Sequence, residues 1–418
     1  MSIALAGFGR TVHISDETRD HILVTMWILI TLKQFQHDEL LLYPLALYFF
    51  WAFVRDFRLL FDLIVRSLIV WAYPVWFVLT MAWGAETGMI LRTGLQLILT
   101  IMICYCAVLR LSARQIMLSV MIGAGWYGVL SALETDATKF ARGVFASKNA
   151  FGGVMVMLFT ASLCIIVDGA RPRWLRLGAG MLFLLSIAMI QRSHSATAVL
   201  LAGGSFACII VLLGRRMISG AALIGVICIL TGLTASFAAF HAYAITEFDP
   251  VGSVLGAFGK DTTLTGRTVL WEYAISEIER HPWLGIGFGE FWTPEDPFSL
   301  ARRIYDEFFK AYYATFSFHN TYLEIAVHQG LIGAGLVAVT ALWLVGVILP
   351  GAIIHREIGA IYFLCIAAMT LTVSMTETAI MVPFSLGFML FLMGGLLGMQ
   401  RPVQQRTFRS MQGQEILQ

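Results

Sequence analysis

His319 heads the run His319-Asn320-Thr321-Tyr322-Leu323-Glu324, at the point where a long polar stretch passes into an apolar one. A neutral imidazole there can take a proton from a hydroxyl near neutral pH. The same residue also reads as a structural histidine, since His328 follows close behind on the same stretch. Asn320 and Glu324 suit either orientation of a substrate or simple capping and pairing. Three cations lie on the side of the chain where positive charge is disfavoured: Lys148 beside Asn149, Arg192, and Arg267, with Arg142 near the first of them. Each alone reads as an interfacial anchor. As a group they point to a polyanion, because a guanidinium presents a planar fork of donors that matches phosphate oxygens.

Other chemistries find less support in the residues. Glu134-x-Asp136 and Glu295-Asp296 are carboxylate pairs with no third ligand at useful spacing, so no metal site is expected. No Gly-x-Ser-x-Gly elbow marks a hydrolase. Gly285-Ile286-Gly287-Phe288-Gly289 follows an expected helix instead of a strand, so it reads as a flexible turn and not as a dinucleotide loop. No cofactor is expected.

The elements that must position these groups are membrane helices. Of 418 residues 58% are hydrophobic and 13% charged, with mean hydropathy +0.79, which excludes an ordinary water-soluble globule. A net charge of +2 is too small to make nucleic acid the main partner. All six cysteines sit inside apolar runs and read as packing residues. The first twenty residues carry Asp16, Glu17, Arg19 and Asp20 and show no cleaved leader. Twelve apolar runs qualify as spans, near 21–32, 39–54, 67–83, 89–109, 115–133, 149–167, 174–190, 196–213, 217–240, 329–349, 357–375 and 380–399. The first is the shortest. The runs lack period-two alternation, so the fold class is all-α.

Alternate loops differ in charge. One set carries Arg10 and Arg19; Arg55, Arg58 and Arg66; Arg110 and Arg114; Arg171, Arg173 and Arg176; Arg215 and Arg216; Arg356; and Arg401, Arg406 and Arg409. The other carries Lys33, Arg92, Lys139, Arg142, Lys148 and Arg192. Sixteen against six places the first set, and with it both termini, in the cytoplasm. The chain then divides into an N-terminal membrane region 1–240, an external domain 241–320, C-terminal membrane helices 321–400 and a cytoplasmic tail 401–418. Within the external domain Arg267 to Arg280 reads as an amphipathic helix ended by His281-Pro282. A second helix is expected from Leu300 to Tyr313, lying along the membrane interface or packed on its own domain.

Several stretches taken together resemble the signature region of the O-antigen ligase and polysaccharide polymerase family. They are Thr265-Gly266-Arg267-Thr268-Val269-Leu270-Trp271, His281-Pro282-Trp283-Leu284-Gly285-Ile286-Gly287-Phe288-Gly289, and His319 through Gly330-Leu331-Ile332-Gly333. His319 and Gly330 enclose ten residues, as in that family. Gly143 to Gly152 and Ser193-His194-Ser195-Ala196-Thr197-Ala198 agree with it upstream.

The resemblance implies a polytopic inner-membrane glycosyltransferase, GT-C-like, with about 12 transmembrane helices, a large periplasmic loop domain and a periplasmic active site. It implies an undecaprenyl-diphosphate-linked oligosaccharide as donor, a glycan as acceptor, membrane lipid as surroundings, a chain-length regulator as a further partner, and no metal. Carried over motif by motif, His319 is the general base, Arg192, Arg267 and Lys148 bind the diphosphate, and Asn149 contacts substrate; Asn320 and Glu324 are expected at the substrate from the residue reading above. Polymerisation of repeat units and ligation of a finished glycan both fit this donor chemistry. Transport of a lipid-linked glycan is the remaining alternative, disfavoured because the charges cluster at span ends.

Overall fold

The computed structural model describes residues 4–7, 10–13, 15–33, 35, 39–136, 139–214 and 267–415. The expected ninth span, 217–240, and the first part of the external domain, 241–266, lie outside the described residues. The described chain is helical apart from a short antiparallel hairpin, Ala4–Gly7 against Arg10–His13, which the all-α reading did not include.

The helices are α1 (Asp16–Leu32), α2 (Glu39–Arg55), α3 (Phe57–Arg66), α4 (Ile69–Leu79), α5 (Thr87–Arg110), α6 (Ala113–Ala132), α7 (Lys148–Val167), α8 (Arg173–Arg192), α9 (Ala196–Leu213), α10 (Arg267–Arg280), α11 (Leu300–Glu307), α12 (Thr321–Leu349), α13 (Ile358–Val373) and α14 (Leu386–Glu415). Eleven of the twelve expected spans coincide with a helix. Among the described residues six helices, α5 to α9 and α12 with its extension to Ile354, are long and apolar enough to cross a bilayer. α2 and α3 meet at 85° around Asp56, so the expected cytoplasmic loop at 55–66 is itself a helix.

One hydrophobic core runs through the bundle, with Trp27, Tyr105, Phe151, Tyr362, Phe363 and Phe391 fully buried. Charge is sorted to its ends. At one end Arg114 makes a two-pronged contact with Asp168 (2.6 and 3.0 Å), and Arg110 binds Asp56 at 2.5 Å. His319 lies at the other end of α7, whose first turn holds Asn149 and whose last residue precedes Asp168.

A second, smaller core formed by Leu270, Ala274, Phe291, Ile304, Phe318 and Val327 joins α10, α11 and the start of α12. Thus α11 packs on its own domain. It also stops at Glu307 instead of Tyr313. Phe309 turns into the left-handed region (φ 51°) and Lys310 N–H returns to Tyr305 O at 2.8 Å, an ending of the kind that closes helices.

The Gly285–Gly289 segment is a clasp and not a flexible turn. α12 breaks at Gly330 (φ 69°, ψ −178°). The break orphans N–H and C=O groups that a helix would pair, and inside a bilayer such groups need partners. The glycine segment supplies them. Leu331 N–H donates to Pro282 O (2.8 Å), Ile286 N–H to Val327 O (3.0 Å) and Gly287 N–H to His328 O (2.9 Å). Trp76 Nε1–H takes Gln329 O at 3.0 Å. A Cβ on Gly330 would meet Trp283 O at 2.1 Å, so the backbones interlock only because glycine stands there. We expect Gly330→Ala to destabilise the protein by at least about 2 kcal/mol, read as a fall in apparent Tm in detergent. Gly335→Ala, where a Cβ meets nothing within 4 Å, is the control. Equal melting of the two variants would remove the interlock as a constraint.

Candidate active site

Three helices begin at one place. Ser147 caps α7 by accepting from Ala150 N–H, Ser195 caps α9 by accepting from Ala198 N–H, and Asn320 caps α12 by accepting from Tyr322 and Leu323 N–H. Their first turns meet at Glu377, in the loop between α13 and α14. Glu377 Oε2 accepts from His319 Nδ1 at 3.0 Å, and Oε1 accepts from Arg267 Nη2 at 2.8 Å. Asn149 Nδ2 reaches the same oxygen at 3.5 Å, while Ser195 Oγ donates to Asn149 Oδ1 at 3.3 Å.

Thr321 fastens this arrangement. Its N–H donates to Ser374 O, its hydroxyl donates to Glu377 O, and Ala379 N–H donates to that hydroxyl, each at 2.8 Å. The first turn of α12 and the Glu377 loop therefore move as one unit. His319 itself sits at φ 49°, unusual for a residue with a Cβ, and its ring packs edge-on against Phe316 at 5.9 Å.

Burial raises the Glu377 carboxyl, but the hydrogen bond from His319 and the charge of Arg267 outweigh it and hold the group below its ordinary value. An ionised carboxylate only accepts, so the His319 ring carries its hydrogen on Nδ1 and turns the Nε2 lone pair outward. One third of the His319 side chain is exposed. The ring can take a proton at Nε2 while Glu377 steadies the imidazolium that forms.

The remaining expected residues fall into two groups. Lys148 is exposed at the start of α7, one residue from Asn149. Arg192 is not joined to Glu377 in this way. Its Nε donates to Phe140 O (2.8 Å), Nη1 to Ser131 O (2.6 Å) and Nη2 to Glu134 O (3.2 Å), with the guanidinium 4.5 Å from the Phe140 ring centre. Three of its five donors staple the loop after α6 to the end of α8. Arg192 is nonetheless three residues before Ser195, at the edge of the site.

Asn320 is a helix cap, and Glu324 points inward to Trp292, Phe318 and His328. Asn320 and Glu324 thus have hydrogen-bond partners within the protein. Glu377 was missed in the sequence. The available signal was a lone acid in the short loop between two apolar runs, opposite the arginine-rich side. Among the described residues no group of three or more His, Cys, Asp or Glu is arranged to hold a metal ion.

The O-antigen ligase (Wzy_C) family pattern matches residues 179–338, which contain Arg192, Arg267, His319 and Gly330. The chain is 31% identical over 372 residues to the Exopolysaccharide production protein ExoQ of Rhizobium meliloti (strain 1021), covering 85% of this chain and 83% of that protein. The chain belongs to the O-antigen ligase family. The family segment carries the histidine and both arginines, while Glu377, which unites two of them, lies beyond its end.

Because the Glu377 carboxyl is held low, its contacts are fully present above the ordinary carboxylate value and are lost as pH falls through the lower, folded value. We expect the Glu377 carboxylate to stay ionised when exposed glutamates have titrated, read by carboxyl-¹³C NMR with Glu377→Gln for assignment. Titration together with the exposed glutamates would contradict the pairing.

Proposed function

We propose that this family member is a membrane glycosyltransferase that joins undecaprenyl-diphosphate-linked repeat units into exopolysaccharide or O-antigen at the periplasmic face of the bacterial inner membrane. The observation that carries the reading is the bridging of His319 and Arg267 by one carboxylate, at a point where three helix N-termini converge. A base and a guanidinium held together in this way match the two needs of glycosyl transfer from a lipid diphosphate: removing a hydroxyl proton and receiving charge on the leaving group.

In this mechanism an acceptor hydroxyl approaches His319 Nε2. Its oxygen attacks the anomeric carbon as the bond from that carbon to the diphosphate oxygen breaks, and the electron pair leaves with the diphosphate. The proton passes to Nε2. Attack opposite the leaving group inverts the anomeric centre. Arg267 spends one N–H on Glu377, and its remaining donors face the developing negative charge. The N-terminal ends of α7, α9 and α12 add positive potential, which favours an anion at the same place. Lys148 and Arg192 flank it, Arg192 chiefly by holding the loop after α6. No Rossmann-type nucleotide domain is required, because the donor already resides in the membrane.

Similarity to an exopolysaccharide production protein favours polymerisation. The matched family pattern, O-antigen ligase, favours the second reading, transfer of a finished glycan to lipid A core or another acceptor. Purified protein in liposomes, given only the lipid-linked repeat, separates them: a polymerase lengthens the glycan, and a ligase does nothing without a second acceptor. We expect His319→Ala to lower transfer by at least about 10²-fold and Arg267→Ala by about 10² to 10³-fold, both proteins remaining folded and inserted. Wild-type product from either stable variant would remove that residue from the mechanism.

A further inference from the structure

The inward-facing Glu324 is held at both of its oxygens. Its Oε2 accepts from Phe318 N–H at 2.9 Å. Its Oε1 accepts from Trp292 Nε1–H at 2.8 Å and lies 3.2 Å from His328 Nε2. On the other side of the ring, His328 Nδ1 lies 2.9 Å from Gly287 O. The His328 side chain is 1% exposed and that of Glu324 15%.

A backbone carbonyl only accepts, so Nδ1 must carry a hydrogen. The ring therefore spans Gly287 O and Glu324 Oε1, while the two Glu324 oxygens receive the N–H groups of Phe318 and Trp292, so the carboxyl is held on both sides. The Phe288 ring packs on His328 at 5.6 Å.

We propose that Glu324 is a positioning residue for His319, itself held in place by His328. The proposal rests on the reading of His319 as the base. Glu324 acts through the peptide that precedes it. Phe318 is fully buried, its N–H is gripped by Glu324, and its C=O accepts from Trp271 Nε1–H at 3.0 Å. With both ends of Phe318 held, the backbone enters His319 in the left-handed conformation that aims Nδ1 at Glu377. Without the carboxylate the Phe318 N–H loses its acceptor, and the uncommon φ at His319 loses the restraint that maintains it.

Two measurements test this on the full chain. In protein reconstituted in lipid nanodiscs, hydrogen exchange at the Phe318 amide should be at least about tenfold faster in Glu324→Gln than in the wild type. An unchanged Phe318 amide overturns the proposal. In liposomes containing the lipid-linked repeat, Glu324→Gln should lower kcat by about tenfold or more while KM changes little, because geometry at the base matters in the transition state. Should Glu324→Gln fail to fold, His328→Asn carries the same test, since it removes the ring that holds Glu324 Oε1. Unchanged kcat in a folded variant overturns the positioning role. Failure of the base reading is distinct: His319→Ala would then retain activity, while the Phe318 amide would still exchange faster without the carboxylate.

Discussion

A carboxylate shared between an imidazole and a guanidinium is the interaction on which this molecule's site depends. Glu377 is more than half withdrawn from water, and burial alone would favour its neutral form. Its ionisation is sustained because His319 and Arg267 donate to separate oxygens, and because helix N-termini surround it. The same carboxylate then decides which nitrogen of His319 bears hydrogen. Tautomer, ring direction and local charge thus follow from a single acid.

That acid is useful only if the segments carrying its partners are held still, and the structure does this with backbone chemistry. Thr321 ties α12 to the Glu377 loop from one side. From the other, the Gly330 break and the glycine clasp exchange hydrogen bonds until the orphaned groups named above are paired. A continuous helix through Gly330 would close its own ladder and offer the external segment nothing to bind. The break makes α12 the joint between the main hydrophobic core and the smaller core that holds α10 and α11. Charge segregation complements this, since the Arg110–Asp56 and Arg114–Asp168 contacts fix the helix ends remote from the site.

Arg192 shows how the same residue type can serve two ends. Guanidinium was read as a phosphate ligand because its fork suits oxyanions, yet backbone carbonyls at the end of α6 offer similar oxygens with partial negative charge. Which acceptor an arginine finds depends on what tertiary packing brings within reach. Arg267 finds a carboxylate, and its side chain remains part of the site.

The sequence by itself determined the solvent, the helices and the family. Long apolar runs admit few structures in lipid, and eleven of the twelve expected positions carry a helix because the hydrophobic effect and backbone satisfaction act locally along the chain. His319 and Arg267 were legible for a related reason, as polar groups kept at the ends of apolar runs. Glu377, the inward turn of Glu324 and the clasp of Gly285–Gly289 about Gly330 were decided only by tertiary structure. Each depends on a partner distant in the chain, as with His319 and Glu377 (58 apart), Gly287 and His328 (41 apart) or Trp292 and Glu324 (32 apart). Side-chain pairing across such separations is set by how helices pack, and neither hydropathy nor spacing along one strand of sequence encodes it.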